Sequence, residues 1–473
     1  MKSGSEKIAA DIIKKIRNAQ SVSWNAKNTY YISGNGDDAN DGKSPENPFL
    51  SPEKINDLEL NPGDVVLFER NSVFRVTASI PIKNGVSYGA YGNGEKPQFL
   101  GSPYNFNKSD WFDCGNLIWK LDFEWDNLGT ILINNGEIVG HRLFSIEDLK
   151  DDGDFYLDEQ QYKLYLYCSQ NPAHYDSVEI SVGAFSMFSV GKNPGKVNNV
   201  NIDNLCIKLA SIHGIWFFNS KDISVTNCEI AWIGGARQRG SQNPFQLFGN
   251  GLEFWDGGAN IRAENNWLYQ IYDAALTFQG AGQYDSITFG NNIIEYSTLS
   301  IEWWGRPRAE KYPTKKIKDI SIKNNIVRMT GYGWGRKRRD ICRDAHIVAG
   351  QGIYDYTDIV TNFIVEDNIF DCAYTYMFFH VWRKNFTKRI GIDYVFRNNS
   401  YYQRNREGKD NLGYGNGKNG AFKFGQYDTL DNNLAVYMLP SDVVATYASN
   451  QLELENAVAA VDESPRIVKW LDS

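Results

Sequence analysis

Ile287-Thr288-Phe289-Gly290-Asn291-Asn292 and Ile320-Ser321-Ile322-Lys323-Asn324-Asn325 are two copies of one phrase: apolar residues alternate with polar ones, then asparagine ends the run. The phrase recurs as Asn201-Ile202-Asp203-Asn204, Ile223-Ser224-Val225-Thr226-Asn227, Ile261-Arg262-Ala263-Glu264-Asn265-Asn266, Ile364-Val365-Glu366-Asp367-Asn368 and Tyr394-Val395-Phe396-Arg397-Asn398-Asn399. Its final asparagines stand at 204, 227, 266, 292, 325, 368 and 399, so the shortest period is 23 residues and insertions lengthen the others. Alternation at period 2 marks a strand. A strand, a turn and a second strand in so few residues cannot bury an apolar face alone, whereas stacked coils can, each supplying the floor for the next. Asparagine suits the turn because it tolerates the left-handed backbone, and its amide can bond to its counterpart one coil away. The asparagines are therefore architecture, and the phrase predicts a solenoid of strands.

Upstream, Val65-Val66-Leu67-Phe68, Ile80-Pro81-Ile82 and Val86-Ser87-Tyr88 read as short strands between Pro-Gly, Asn-Gly and Gly-Asn-Gly turns. Residues 105–180 carry hairpin-like pieces with no asparagine repeat and are expected to be an inserted β subdomain. The chain divides into an N-terminal helix and cap (1–27), first coils (28–104), the insertion (105–180), the main solenoid (181–435) and a helical C-terminal cap (436–473). Ile8, Ala9, Ile12, Ile13 and Ile16 recur at helical spacing, and no apolar core of signal-peptide type follows the first lysines. Localisation stays open. The tail beyond Asp442, with Leu452, Leu454, Ala457, Val458 and Val461, has a helical pattern.

Across 473 residues the net charge is -8, which argues against a nucleic-acid partner. No run approaches the ~20 apolar residues of a membrane helix, so no membrane insertion is expected. Six scattered cysteines without CxxC spacing read as buried thiols rather than a metal site or a disulfide framework. The unusual figures are 42 glycines and an aromatic content of 14%.

The opening Tyr30-Tyr31-Ile32-Ser33-Gly34-Asn35-Gly36-Asp37-Asp38-Ala39-Asn40-Asp41-Gly42, with Pro45, Pro48-Phe49 and Pro62-Gly63-Asp64 after it, resembles the start of right-handed parallel β-helix proteins of the pectate-lyase-like superfamily. Leu132 to Gly136 followed by Phe155 to Tyr167 is similar to the β insertion of β-helix glycoside hydrolases of the fucosidase, xylanase and xylosidase type. The resemblance spans most of residues 28–430. It implies an all-β, right-handed parallel β-helix and carbohydrate chemistry, and it transfers no catalytic residue, since the superfamily also holds lyases, epimerases and non-catalytic adhesins.

Candidate site residues come from the alternation itself. Aligning the inward pairs Ile215/Phe217, Leu252/Phe254, Leu276/Phe278, Ile301/Trp303, Ile347/Ala349 and Phe379/Val381 leaves one residue of each strand facing outward. That column reads Trp216, Glu253, Thr277, Glu302, Val348, His380, and the next outward column reads Phe218, Trp255, Gln279, Trp304, Gly350, Trp382. A merely solvated face would not gather carboxylates, histidine and tryptophans. Sugar rings present apolar C–H faces to aromatic rings and hydroxyls to carboxylates and amides, so the partner expected is an oligo- or polysaccharide. Asp273 and Asp344 precede two of these strands in the matching phrases Tyr272-Asp273-Ala274-Ala275 and Arg343-Asp344-Ala345-His346.

The predicted catalytic carboxylates are Glu302 with Glu253 or Asp273. Trp255, Thr277, Gln279, Trp304, Arg306, Asp344, His346, His380 and Trp382 are the predicted substrate contacts. Basic residues gather at Arg306, Arg308 and Arg336 to Arg343, and Gly331-Tyr332-Gly333-Trp334-Gly335 has the composition of a mobile lip. The Asp37, Asp38, Asp41 loop reads as a turn rather than a calcium site, and no cofactor is expected. An enzyme of the glycoside hydrolase class accounts best for paired carboxylates and an aromatic groove. A polysaccharide lyase or uronate epimerase using Arg, Lys or His is the alternative, and a non-catalytic glycan-binding β-helix is the third reading.

Overall fold

The structure, a computed structural model, describes residues 5–191, 196–241, 243, 245–305, 316–337, 345–351, 359–374, 376–381, 392–397, 399–404, 413–417, 420–424 and 445–448. It is an all-β parallel β-helix whose coils each contribute three strand faces. On the first face the register runs Ile215, Leu252, Leu276, Ile301, Ile347. On the second it runs Ile223, Ile261, Ile287, Ile320, Phe363, and on the third Ile230, Leu268, Ile294, Val327, Phe370. All these pairings are parallel, and the columns point into one continuous core. Each coil thus buries its neighbour's apolar side chains, which is why a 23-residue unit is stable only in the stack.

Asparagine plays two parts that the sequence merges. The left-handed turn position is held by Asn204, Asn227, Asn265, Asn291, Asn324 and Asp367, all with φ between 53° and 60°. The ladder position is the residue after it. Asn266, Asn292, Asn325, Asn368 and Asn399 form an unbroken chain in which each side-chain oxygen accepts from the backbone and side-chain N–H groups of the asparagine one coil earlier. Asn204 and Asn227 therefore belong to the turn column, not the ladder, and the Cys228 backbone N–H donates to Asn266 Oδ1 where the ladder begins.

The chain leaves the stack after Gln98–Leu100, which pairs directly with Cys206–Lys208, and rejoins it at Phe188–Ser189. The intervening residues build a five-stranded and a three-stranded sheet around their own core of Phe106, Leu128, Ile131, Phe155, Leu164, Val178 and neighbours.

Glu6–Arg17 is the helix read from its spacing. It lies along the third face of the solenoid. Ile8, Ala9, Ile12 and Ile16 pack on Trp267, Ile293, Ile326 and Ile369, the outward residues that open successive strands of the third face. Twelve helical residues span about 18 Å, close to the roughly 19 Å covered by the five coils from Glu229 to Asp371. The strap is fastened at both ends. The Ser5 N–H and hydroxyl donate to Asp371, and Arg17 meets Glu229 at 3.1 Å.

At the other terminus the expected helical cap is corrected for Ala445–Ala448, a strand paired in parallel with Tyr401–Arg404. The remaining tail positions lie outside the described residues.

Candidate active site on the first face

The register places Trp216, Glu253, Thr277 and Glu302 in one outward column, with the Val348 backbone opposite Glu302, and Phe218, Trp255 and Gln279 in the next column. Outward side chains of a bare solenoid are wet, yet Glu253 is 3% exposed, Thr277 0% and Glu302 7%. These outward side chains are buried instead. Charges removed from water need partners, and here each carboxylate receives neutral donors. Gln279 Nε2 donates to Glu253 Oε1 at 3.0 Å, and His213 Nε2 lies 2.8 Å from Glu253 Oε2. The Asn250 backbone N–H donates to His213 Nδ1 at 3.0 Å. That network assigns the imidazole proton to Nε2, so His213 is a neutral donor to Glu253 and not its counter-ion. Phe248 packs edge-on against the His213 ring at 5.6 Å and helps to shut water out. Glu302 accepts from Trp304 Nε1 at 2.5 Å and lies 3.5 Å from Thr277 Oγ1.

Trp255, Gln279 and Trp304 are half-buried beside this column. Trp216 and Phe218 extend the aromatic surface toward the insertion end, with ring centres 6.2 Å apart. The inward Trp303 stacks on Phe278 in the core, as its alternation predicts. Asp273 lies in the bend just before Ala274–Gln279, four residues before Thr277, whereas Glu253 shares the Glu302 column. The structure thus brings Glu253, Thr277, Gln279, Glu302 and Trp304 together and leaves Asp273 outside the column.

One column position is corrected. Ile347 pairs with Phe378 and Val348 with Phe379, so the backbone of His380 lies opposite Ala349, one place off the carboxylate column. The His346 and His380 side chains, and Arg306, Asp344 and Trp382 altogether, lie outside the described residues.

The Gly331 to Gly335 segment is pinned rather than a free lip. Trp334 Nε1 donates to the Gln270 carbonyl at 2.9 Å, and its backbone N–H donates to Gln270 Oε1 at 3.2 Å. In the early acidic loop, Asp37 accepts from Ala39 N–H, Asp41 from Lys43 N–H, and Asp38 from Leu50, Ser51 and the Ser51 hydroxyl, which is turn chemistry.

His213 is the residue that sequence reasoning missed. It stands in the turn before Ile215, where strand alternation says nothing. Its only signal was rarity, as one of 5 histidines in the chain, placed three residues before the Trp216 that heads the column.

No protein-family model matches the chain. Over 195 residues the sequence is 26% identical to a lacto-N-biosidase of Bifidobacterium longum subsp. longum, a match that covers 38% of this chain and 12% of that protein. Similar solved structures include XylC with xylose, with a TM-score of 0.44 and 13% identity over 82% of this chain and 64% of that one. The GH136 lacto-N-biosidase from Eubacterium ramulus is similar with a TM-score of 0.39 and 17% identity over 82% of this chain and 67% of that one.

Proposed function

We propose that the protein is a glycoside hydrolase that binds a glycan along the first face and cleaves it with Glu302 and Glu253. The observation that carries this reading is the pair of buried carboxylates in one outward column, two coils apart, walled by Trp304 and Trp255. Coils stack at about 4.8 Å, so the two Cα atoms stand roughly 9.6 Å apart. That spacing leaves room for a water between the carboxyl groups and fits the roughly 6.5–9.5 Å of inverting hydrolases better than the ~5 Å of retaining ones. One carboxylate of the pair would take a proton from the attacking water as general base, and the other would give its proton to the leaving oxygen as general acid. The sequence likeness to a lacto-N-biosidase supports hydrolysis of a glycan.

The test is Glu302→Gln and Glu253→Gln, assayed by reducing-end release from a panel of polysaccharides and aryl glycosides. Loss of a general acid or base costs about 100-fold or more in turnover. Proton NMR of the first product should show the inverted anomer. A variant that keeps most of the parent's turnover, or a parent product that is unsaturated and absorbs ultraviolet light, overturns the proposal.

A further inference from the structure

The five-stranded sheet of the insertion turns one face to solvent. On its other face Leu121, Phe155, Leu157, Leu164 and Leu166 are buried in the insertion's own core, and alternation turns the residues between them outward. The antiparallel register sets four outward residues in one row across neighbouring strands. Tyr156 stands opposite Tyr165, Tyr165 opposite Lys120, and Lys120 opposite Phe112. The side chains follow that register. The Tyr156 and Tyr165 rings lie 6.1 Å apart with 19° between their planes, and Lys120 Nζ lies over the Phe112 ring at 4.6 Å. Phe112 is 61% exposed, and Tyr156, Tyr165 and Lys120 are half-buried. Tyr167 and Ile118, opposite each other in the next row, widen the strip.

An exposed apolar strip marks a contact surface, and its charge and size decide the partner. On the other flank Asp158, Lys163 and Asp122 stand in one row. Lys163 pairs with Asp122, and Asp158 accepts from the Gln160 and Gln161 N–H groups. Lys120 and Lys163 thus balance Asp122 and Asp158, which leaves no net charge to select an acidic or a basic partner. Three strand spacings of about 4.8 Å by one same-face step of about 7 Å give a strip of roughly 100 Å². Each member of a stable protein pair buries about 800 Å², so the strip is too small for a second protein and suits a short run of rings. Sugar rings carry flat C–H faces rimmed by hydroxyls. The faces can stack on Tyr156, Tyr165 and Phe112, while the tyrosine hydroxyls serve as donors and acceptors for the rim.

We infer that this strip is an accessory, non-catalytic binding surface for a neutral polysaccharide. The inference goes beyond the hydrolase reading, because binding here needs nothing from Glu302 or Glu253. Its use is to keep an enzyme and a long substrate together, and only that use rests on the hydrolase reading.

The experiment runs the full chain through native gels that contain arabinoxylan, galactan, β-glucan or polygalacturonate. At least one of the neutral polymers should retard it, and Phe112→Ala and Tyr165→Ala should each raise the dissociation constant about threefold to tenfold through a lost ring contact. Phe112 lies on a two-residue edge strand and is exposed enough for that variant to fold. Absence of retardation by every neutral polymer, unchanged retardation in both variants, or equal binding of polygalacturonate through the same residues overturns the surface. Sedimentation of the parent as a dimer that Phe112→Ala splits also overturns it, since the face would then belong to a second copy. The gels read binding alone, so an active Glu302→Gln variant sinks the hydrolase reading and leaves the strip standing.

Discussion

Asn325→Ala removes one rung from the middle of the asparagine ladder, and its cost follows from the bonds it breaks. Asn325 Oδ1 accepts from the Asn292 backbone N–H and side chain, both at 3.0 Å, and Asn325 Nδ2 donates to the Phe289 carbonyl and Asn368 Oδ1, both at 2.9 Å. The Asn292 side chain keeps the Ala263 carbonyl, and Asn368 Oδ1 keeps the Asn325 backbone N–H. What is stranded is one backbone N–H and the side-chain bond to one carbonyl, at a site 1% exposed. Each such buried group costs about 1–3 kcal/mol, so the expected loss is roughly 3–5 kcal/mol with the small void included. The neighbouring Asn324→Gly is the control, because φ +55° needs no side chain and glycine adopts it freely. That change should cost less than about 0.5 kcal/mol. Thermal unfolding compares the two, and hydrogen exchange at the Asn292 amide reads the broken bond directly. Equal melting of the two variants, or a protected Asn292 amide in Asn325→Ala, would refute the division of labour between turn and ladder.

The strap offers a pH test. Burial alone would raise the Glu229 carboxyl, but Lys208 at 3.0 Å and Arg17 at 3.1 Å hold it below the usual carboxylate range. A depressed folded value gives stability that is present above the unfolded pKa of about 4.3 and lost as pH falls through the folded value. Limited proteolysis below about pH 4 should therefore cut near residues 5–20 before the coils open, and Glu229→Gln should do the same at neutral pH; an uncut strap in both cases rejects it. Trp304→Ala removes both an aromatic wall and the indole donor to Glu302, so glycan affinity should fall by about 1–2 kcal/mol in calorimetry. His213→Phe takes away the Nε2 donor to Glu253, and loss of a hydrogen bond to a carboxylate is expected to slow turnover about tenfold to a hundredfold. It should also move the limb of the pH–rate profile that reports Glu253, which a purely structural defect would leave in place.

The solenoid was legible because one period governs the whole stack. Ile287/Phe289 and Ile320/Ile322 each name their inward face, and the register between them follows. The same rule located Glu253, Thr277 and Glu302 in one column. It slipped at Tyr376–Val381, where Tyr, Met, Phe, Phe, His and Val do not alternate apolar with polar residues and so leave the phase of the strand unfixed by sequence. Turn and ladder asparagines were indistinguishable wherever Asn-Asn doublets occur. The exceptions Asn204-Leu205 and Asn227-Cys228 held the answer, since only the first position is asparagine in both. The helix was legible as amphipathic but its seat was not. Trp267, Ile293, Ile326 and Ile369 form an apolar outward column that a solvated third face would not carry.

The site was less legible than the fold for a reason built into repeats. Alternation determines which side chains leave the core, and it is silent on what covers them afterwards. On an open face Glu253 and Glu302 would be hydrated surface carboxylates with ordinary chemistry. Their burial comes from non-repeating parts of the chain: the turn that carries His213, the Leu247–Phe248 segment that backs it, and the Trp304 indole folded over its own strand. On the proposed reading, reactivity and selectivity would therefore reside where the period fails. Substitutions in the ladder should change stability without changing which glycan is bound, whereas substitutions in the turns and insertion should do the reverse.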